Sequence, residues 1–220
     1  MQIALGSTLV ELLPGRAAFL ARSKTLVVAD LHLGKAATFR NRGLPVPEGS
    51  NAADLSRLQK LVERNQPERL VIAGDLFHSA DGLSSSTIDH FQDWLHKLKL
   101  PVILTEGNHD RRSWFADHHF PIEVHLDLEI DELIITHDPA DLPTDKAGIA
   151  GHLHPGVRIR ESRRQSLRVP GFFVKNAHHL VLPAFSEFTG IQPLKLAPED
   201  QFYAEVNEQI SLIPNSLMRS

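Results

Sequence analysis

Five short polar clusters hold the residue types of a metal centre. They are Asp30-Leu31-His32, Gly74-Asp75, Gly107-Asn108-His109-Asp110, Thr136-His137-Asp138 and Gly151-His152-Leu153-His154. Asp30, His32, Asp75, Asn108, His137, His152 and His154 together offer two carboxylates, one amide oxygen and four imidazoles. Oxygen and nitrogen donors in that mixture suit Mn²⁺, Fe or Zn²⁺, whereas Ca²⁺ takes more oxygens. Seven donors are too many for one ion and fit two ions that share a bridging carboxylate. Such a pair, about 3.5–4 Å apart, lowers the pKa of a bridging water and clamps a phosphoryl group for in-line attack. Asp-x-His and His-x-His put alternate side chains on one side of an extended chain, so each pair is expected to face one site.

Each cluster closes an apolar run: Leu26–Ala29, Leu70–Ala73, Val102–Thr105, Leu133–Thr136 and Gly148–Ala150. Short β-branched runs of this kind read as strands buried on both faces. Ligands sit at the carboxyl ends of such strands in an open α/β sheet, so clusters spread over more than 120 residues are expected to meet on one rim. Two helices are expected between them. One is entered near Ser50-Asn51 with Leu55, Leu58, Leu61 and Val62 on one face; the other is entered at Ser84–Ser86 with Ile88, Phe91, Leu95 and Leu98. Beyond residue 155, Val157–Arg160, Phe172–Val174, His179–Leu182 and Tyr203–Ile213 read as strands, so an antiparallel sheet is expected to complete one domain over residues 1–220.

A single Asp at a strand end is ordinarily a turn residue, so the signal lies in all five clusters appearing in order. Composition narrows the setting. The 220 residues carry 23 Lys+Arg, 27 Asp+Glu and 13 His, for a net charge of −4, and no Cys. The missing thiols exclude disulfide scaffolds and thiolate metal sites. The acidic balance argues against nucleic-acid binding over the whole surface but leaves room for a local basic groove. No apolar run is long enough for a membrane span, and residues 1–15 lack a signal-peptide pattern, so a cytoplasmic location is expected.

The set Asp-x-His, Gly-Asp, Gly-Asn-His-Asp, His, Gly-His-x-His resembles the signature of the calcineurin-like metallophosphoesterases, and it covers Asp30 to His154. The resemblance implies an α/β four-layer αββα sandwich of two mixed sheets flanked by helices, with a dinuclear centre. It implies that Asp30, His32 and His154 hold one ion, that Asn108, His137 and His152 hold the other, and that Asp75 bridges them. A metal-bridging hydroxide would be the nucleophile, and His109 would protonate the leaving oxygen, oriented by Asp110. His125 competes with His137 for the fourth cluster; His137 is preferred because it closes an apolar strand.

Leu33 to Arg40, Gly43-Leu44-Pro45-Val46-Pro47, Leu76-Phe77-His78-Ser79 and Leu182-Pro183-Ala184-Phe185 are further similar to the ligase-associated DNA damage response endonucleases. That likeness implies Mn²⁺-dependent cleavage of DNA, single-stranded DNA in particular, in repair, with a DNA ligase and a DEXH-box helicase as functional partners. Arg158, Arg160, Arg163, Arg164 and Arg168 follow His154 closely; Lys35, Arg40 and Arg42 follow the first cluster, and Arg111 and Arg112 the third. These cations could line a groove for a phosphate backbone. Of them Arg40, Arg111, Arg163 and Arg164, together with His78, are the expected substrate contacts. Phe39 and Trp114 could stack on bases, though apolar packing is the plainer reading of both. His118-His119 and His178-His179 fit no ligand spacing, and His90 and His96 are expected on an exposed helix face. An enzyme for nucleotides or other small phosphoesters is the alternative within the same chemistry. A non-catalytic scaffold is the alternative outside it, although scaffolds on this fold tend to lose ligands and here every position is filled.

Overall fold

The computed structural model describes residues 1–46, 49–110, 117–160 and 166–219. The chain runs through β1 (Gln2–Leu5), β2 (Thr8–Leu13), β3 (Ala17–Leu20) and β4 (Thr25–Val28), then α1 (Lys35–Asn41) and α2 (Ser50–Asn65). Next come β5 (Arg69–Ala73), α3 (Ser85–Leu98), β6 (Val102–Thr105), β7 (Ile122–His125), β8 (Leu128–Ile130), β9 (Leu133–Ile135) and β10 (Gly148–Ala150). The C-terminal part supplies β11 (Pro155–Arg160), β12 (Ser166–Lys175), β13 (His179–Val181), β14 (Gln192–Pro193), β15 (Gln201–Val206), β16 (Gln209–Leu212) and β17 (Met218–Arg219).

Two sheets form. The first has the order β1-β2-β3-β4-β5-β6-β7, and the second β14-β11-β12-β13-β10-β9-β8, with β15, β16 and β17 attached at its side. Pairing is parallel from β4 to β7 and across β9, β10 and β13, and antiparallel elsewhere, except that β14 runs parallel to β11. Alternation along the central strands settles the layers. Leu26, Val28, Leu70, Ile72, Val102 and Leu104 pack outward against α2 and α3. Val27, Val71 and Ile103, one residue out of phase, pack inward against Ile135, Ile149, Phe172, Val174 and Leu180 of the second sheet. The strands are therefore buried on both faces, as their unbroken apolar runs predict.

The helices form for local reasons as well. In α2, Leu55, Leu58, Leu61 and Val62 recur at helical spacing and are buried; Gln66 then turns left-handed (φ 48°) and stops it. In α3 the Ser84 hydroxyl accepts from the Thr87 amide at 3.2 Å, an N-cap, and Phe91, Leu95 and Leu98 face the sheet. His90 and His96 point to solvent, as expected. Among the described residues the outer face of the second sheet is covered thinly, by Leu142 from a turn after β9 and by Leu194, Leu196 and Met218. No helix among the described residues is long and apolar enough to cross a membrane.

Candidate metal centre

The two parallel cores bring their carboxyl ends to one edge of the sandwich. From the first sheet, β4 leads to Asp30 and His32, β5 to Asp75, and β6 to Asn108 and His109; from the second, β9 leads to His137 and β10 to His152 and His154. The rim is thus shared by two sheets and is not the edge of a single open one.

The expectation that an extended chain pairs the side chains is corrected. Asp30-Leu31-His32 and His152-Leu153-His154 are not extended. Asp30 (φ 56°), His32 (φ 46°), Asp75 (φ 52°), His152 (φ 68°) and His154 (φ 46°) all sit in the left-handed region. That region costs an L-residue roughly 1–2 kcal/mol. Repeated left-handed turns, not a β-pleat, aim the side chains inward. Main-chain bonds hold the turns: Asp30 N to Gly74 O at 3.1 Å, His32 N to Asp75 O at 2.9 Å and Leu33 N to Leu76 O at 2.8 Å.

The glycines of the clusters are required by close approach. At Gly74 (φ 80°) an added Cβ would run into the His137 ring, and at Gly107 into the Asp75 amide and carboxylate. Gly74→Ala is therefore expected to lose about 2–5 kcal/mol from the left-handed backbone plus overpacking. It is also expected to displace His137, read by denaturant unfolding and by metal content of the purified protein. A variant matching wild type in both would mean the ring has room to move aside.

The expected ligands form two donor groups. Asp30, His32 and His154 converge, and beside them Asp75, His137 and His152, each set having ligand atoms within 4.8 Å of one another; His32 lies within the same reach of His78 and His109. Asp75 spans both: Oδ2 lies 3.7 Å from His32 Nε2 and Oδ1 lies 3.5 Å from His137 Nε2. Asn108 joins the second group through Oδ1, 2.9 Å from His137 Nε2.

Hydrogen-bond chemistry shows what this set accepts. His137 Nδ1 lies 3.1 Å from the Ala73 carbonyl, which can only accept, so the neutral ring carries its proton on Nδ1. Nε2 then turns a lone pair toward Asn108 Oδ1, Asp75 Oδ1 and His152 Nδ1, the last at 3.1 Å. In the first group His32 Nε2 and His154 Nε2 stand 3.2 Å apart, with Asp30 Oδ1 3.5 Å from the latter. The His137 Nε2 lone pair facing the oxygens of Asn108 and Asp75 is repelled by them, and a divalent cation relieves the repulsion. Burial adds to the tension: it pushes the Asp75 carboxyl up, with Asp30 adding to the rise, and pushes His32 down to about 2, helped by Lys35. A neutral imidazole is the form that binds metal. The residues fit a two-ion centre.

His109 lies beside this set. Its amide donates to Asp75 Oδ1 at 2.9 Å, and its Nδ1 lies 2.7 Å from the His78 carbonyl. The expectation that Asp110 orients His109 is corrected: the His78 carbonyl occupies that nitrogen. The Asp110 carboxylate instead accepts from the amides of Gly107 (3.1 Å), Phe77 (3.2 Å) and Leu76 (3.4 Å), tying the loop after β5 to the turn after β6. Burial pushes this carboxyl up to about 7 despite those bonds.

His78 stacks on His109 with centroids 5.1 Å apart, and its imidazole is pushed down to about 4 by burial and by Lys35. Arg40 lies half-buried on α1, a helix that no apolar stripe in the sequence announces. Arg111, Arg112, Trp114, Arg163 and Arg164 lie outside the described residues. His125 ends β7 and faces Glu123 at 3.7 Å, apart from both donor groups. Sequence reasoning missed Arg16 and Arg57, which brace the segment after β13 against Asp30; only tertiary contacts reveal them.

The family profile of the calcineurin-like phosphoesterases matches residues 23–160. The crystal structure of the nuclease MPE of Pseudomonas putida is similar at 30% identity, covering 93% of this chain and 96% of that one, with a TM-score of 0.77. One component of the nuclease SbcCD from Staphylococcus epidermidis is 32% identical over 124 residues. That match takes in 50% of this chain and only 31% of the relative's length.

Proposed function

The chain belongs to the calcineurin-like phosphoesterase family, and from that premise we propose that it is a two-metal phosphodiesterase that cuts single-stranded DNA internally. The observation that carries the reading is the double donor set spanned by Asp75. Asp30, His32 and His154 would hold one ion, and Asn108, His137 and His152 the other, with Asp75 between them. The mixed oxygen and nitrogen donors favour Mn²⁺, with Fe and Zn²⁺ as competitors. Two bound cations supply an activated water and positive charge for the phosphoryl oxygens.

The chain's own contribution follows from His109. With Nδ1 donating to the His78 carbonyl, Nε2 is the nitrogen left to face the departing oxygen, and the proton it would deliver is the second one of the imidazolium form. The bond from its amide to Asp75 keeps the proton donor in register with the bridge. Asp110, through three amides, keeps the two loops that carry Asp75 and His109 together.

DNA as substrate is supported by the two nuclease relatives and by charge. Arg158, on the strand that follows His154 at once, and Arg168 on β12 are exposed and directly opposite each other. Like charges in that position destabilise a sheet, and a polyanion lying across them removes the penalty. Among the described residues His78 and Arg40 would contact the substrate in this reading; Arg111, Arg163 and Arg164 would complete the set. A repair role beside a DNA ligase and a DEXH-box helicase rests on the likeness of the loop sequences.

The test uses chelator-stripped protein on circular single-stranded DNA and on methyl p-nitrophenyl phosphate. Stripping is expected to abolish hydrolysis of both, and Mn²⁺ to restore both. At a hundredfold excess over its dissociation constant, Mn²⁺ should also add about 2.7 kcal/mol of stability for each ion bound. Restored activity is expected to fall on the acid side, because imidazole ligands must be neutral to bind. Hydrolysis of the small diester alone would move the reading to small phosphoesters. Hydrolysis of neither would favour a scaffold.

A further inference from the structure

The turn Phe185–Thr189 is anchored more heavily than a surface connection requires. Phe185 N donates to Ala29 O at 2.8 Å and Ser186 N to Asp30 O at 3.3 Å, which fixes the turn to the backbone of the metal centre. Arg16 donates to the carbonyls of Ala184 (3.0 Å) and Ser186 (3.1 Å). Arg57 bonds the Phe185 carbonyl, lies 4.3 Å over the Phe185 ring, and pairs with Asp54 and Glu187.

This turn faces α1. The Lys35 ammonium donates to Thr189 Oγ1 at 3.2 Å, and the Phe39 and Phe188 rings meet edge to face at 5.7 Å. Both rings and Lys35 are only half-buried. The Phe39 ring is 6.1 Å from His78, which in turn stacks on His109 and meets His32 at 5.4 Å. An open aromatic surface therefore begins one ring away from the proton donor. α1 is itself pinned: Thr38 Oγ1 bonds Ser79 Oγ at 2.8 Å, and Asn41 donates to Asp81 O at 2.8 Å.

We propose that α1 and the 185–189 turn form the wall that grips the substrate strand beside the metal centre, with Phe39 and Phe188 stacking on an unpaired base and Lys35 contacting a backbone phosphate. The proposal rests on the nuclease reading and adds the part that tells a polynucleotide from a small diester. Every base has a π-face, so stacking of this kind selects single strands without selecting sequence. A paired base is occupied within its own stack and offers no free face. The clamp from Arg16 and Arg57 holds the wall in place before the strand arrives, which lowers the ordering cost of binding.

The experiment measures fluorescence anisotropy of metal-free protein with labelled oligo(dT) and with an abasic strand of the same length. Wild type is expected to bind oligo(dT) about tenfold tighter than the abasic strand. Phe39→Leu and Phe188→Leu keep apolar bulk without a π-face, and each is expected to remove most of that preference while melting close to wild type. Lys35→Ala is expected to weaken both strands alike and to reduce the slope of log affinity against log salt by about 0.7. Leucine variants that keep the full base preference would overturn the wall even if DNA cleavage by wild type is normal. Wild-type protein that hydrolyses methyl p-nitrophenyl phosphate but neither binds nor cuts DNA would overturn the nuclease reading and the wall with it.

Discussion

Asp75→Asn is expected to lower hydrolysis of every phosphoester substrate by on the order of 10³-fold or more, since several kcal/mol of transition-state stabilisation depend on the ion pair. The substitution is nearly isosteric, and the amide oxygen can still accept the His109 N–H that Asp75 Oδ1 now takes at 2.9 Å. What it removes is the negative charge between two donor groups, with one carboxylate oxygen turned toward His32 and the other toward His137. The sign of the effect on stability separates this from simple damage. Burial raises the Asp75 carboxyl, so its ionised form is a cost in the metal-free protein at neutral pH. Metal-free Asp75→Asn is therefore expected to melt at or above wild type, while the gain in melting temperature on adding Mn²⁺ largely disappears. Calorimetric melts with and without metal, with ion counting, give the answer. Two retained ions with wild-type turnover would remove Asp75 from the bridge.

His109→Ala is expected to cost about 10²–10⁴-fold on DNA, the usual worth of a positioned general acid. The loss should depend on the leaving group. An alkoxide leaving from DNA needs a proton, whereas p-nitrophenolate departs as the anion, so methyl p-nitrophenyl phosphate should lose much less. Ion content should stay at the wild-type level, because His109 meets the centre through its backbone amide and its ring nitrogen bonds the His78 carbonyl. Equal losses on both substrates would assign His109 to holding the neighbouring rings of His78 and His32, which it contacts at 5.1 and 5.2 Å, and not to proton transfer.

The central strands were legible because burial on both faces demands unbroken apolar runs, and Leu26–Ala29 or Leu70–Ala73 admit little else. The helices Ser50–Asn65 and Ser85–Leu98 were legible from one apolar stripe each. β1 to β3 and α1 were not. α1 is a seven-residue helix capped by left-handed Gly34, held by contacts with the turn at Ala80–Gly82 and not by an apolar stripe of its own. The stretch Tyr203–Ile213 reads as one strand and is a hairpin turning at Asn207-Glu208, both left-handed, a conformation that sequence alone signals weakly.

By itself the sequence determined the donor chemistry: which side chains carry lone pairs, that they close apolar strands, and that their number exceeds one ion's need. Three things were left to the tertiary structure. The first is that the rim is shared by two sheets, because β9 pairs with β10, β10 pairs with β13, and both lie across the inner core from β4, β5 and β6. The second is the means of aiming the donors, by left-handed residues at Asp30, His32, Asp75, His152 and His154 that main-chain bonds between distant loops help to hold. The third is the division of labour around His109, where a backbone carbonyl and not Asp110 meets the ring. The physical reason is common to all three. Side-chain type is written residue by residue, whereas backbone strain and hydrogen-bond pairing are settled by segments far apart in the chain that only folding brings together.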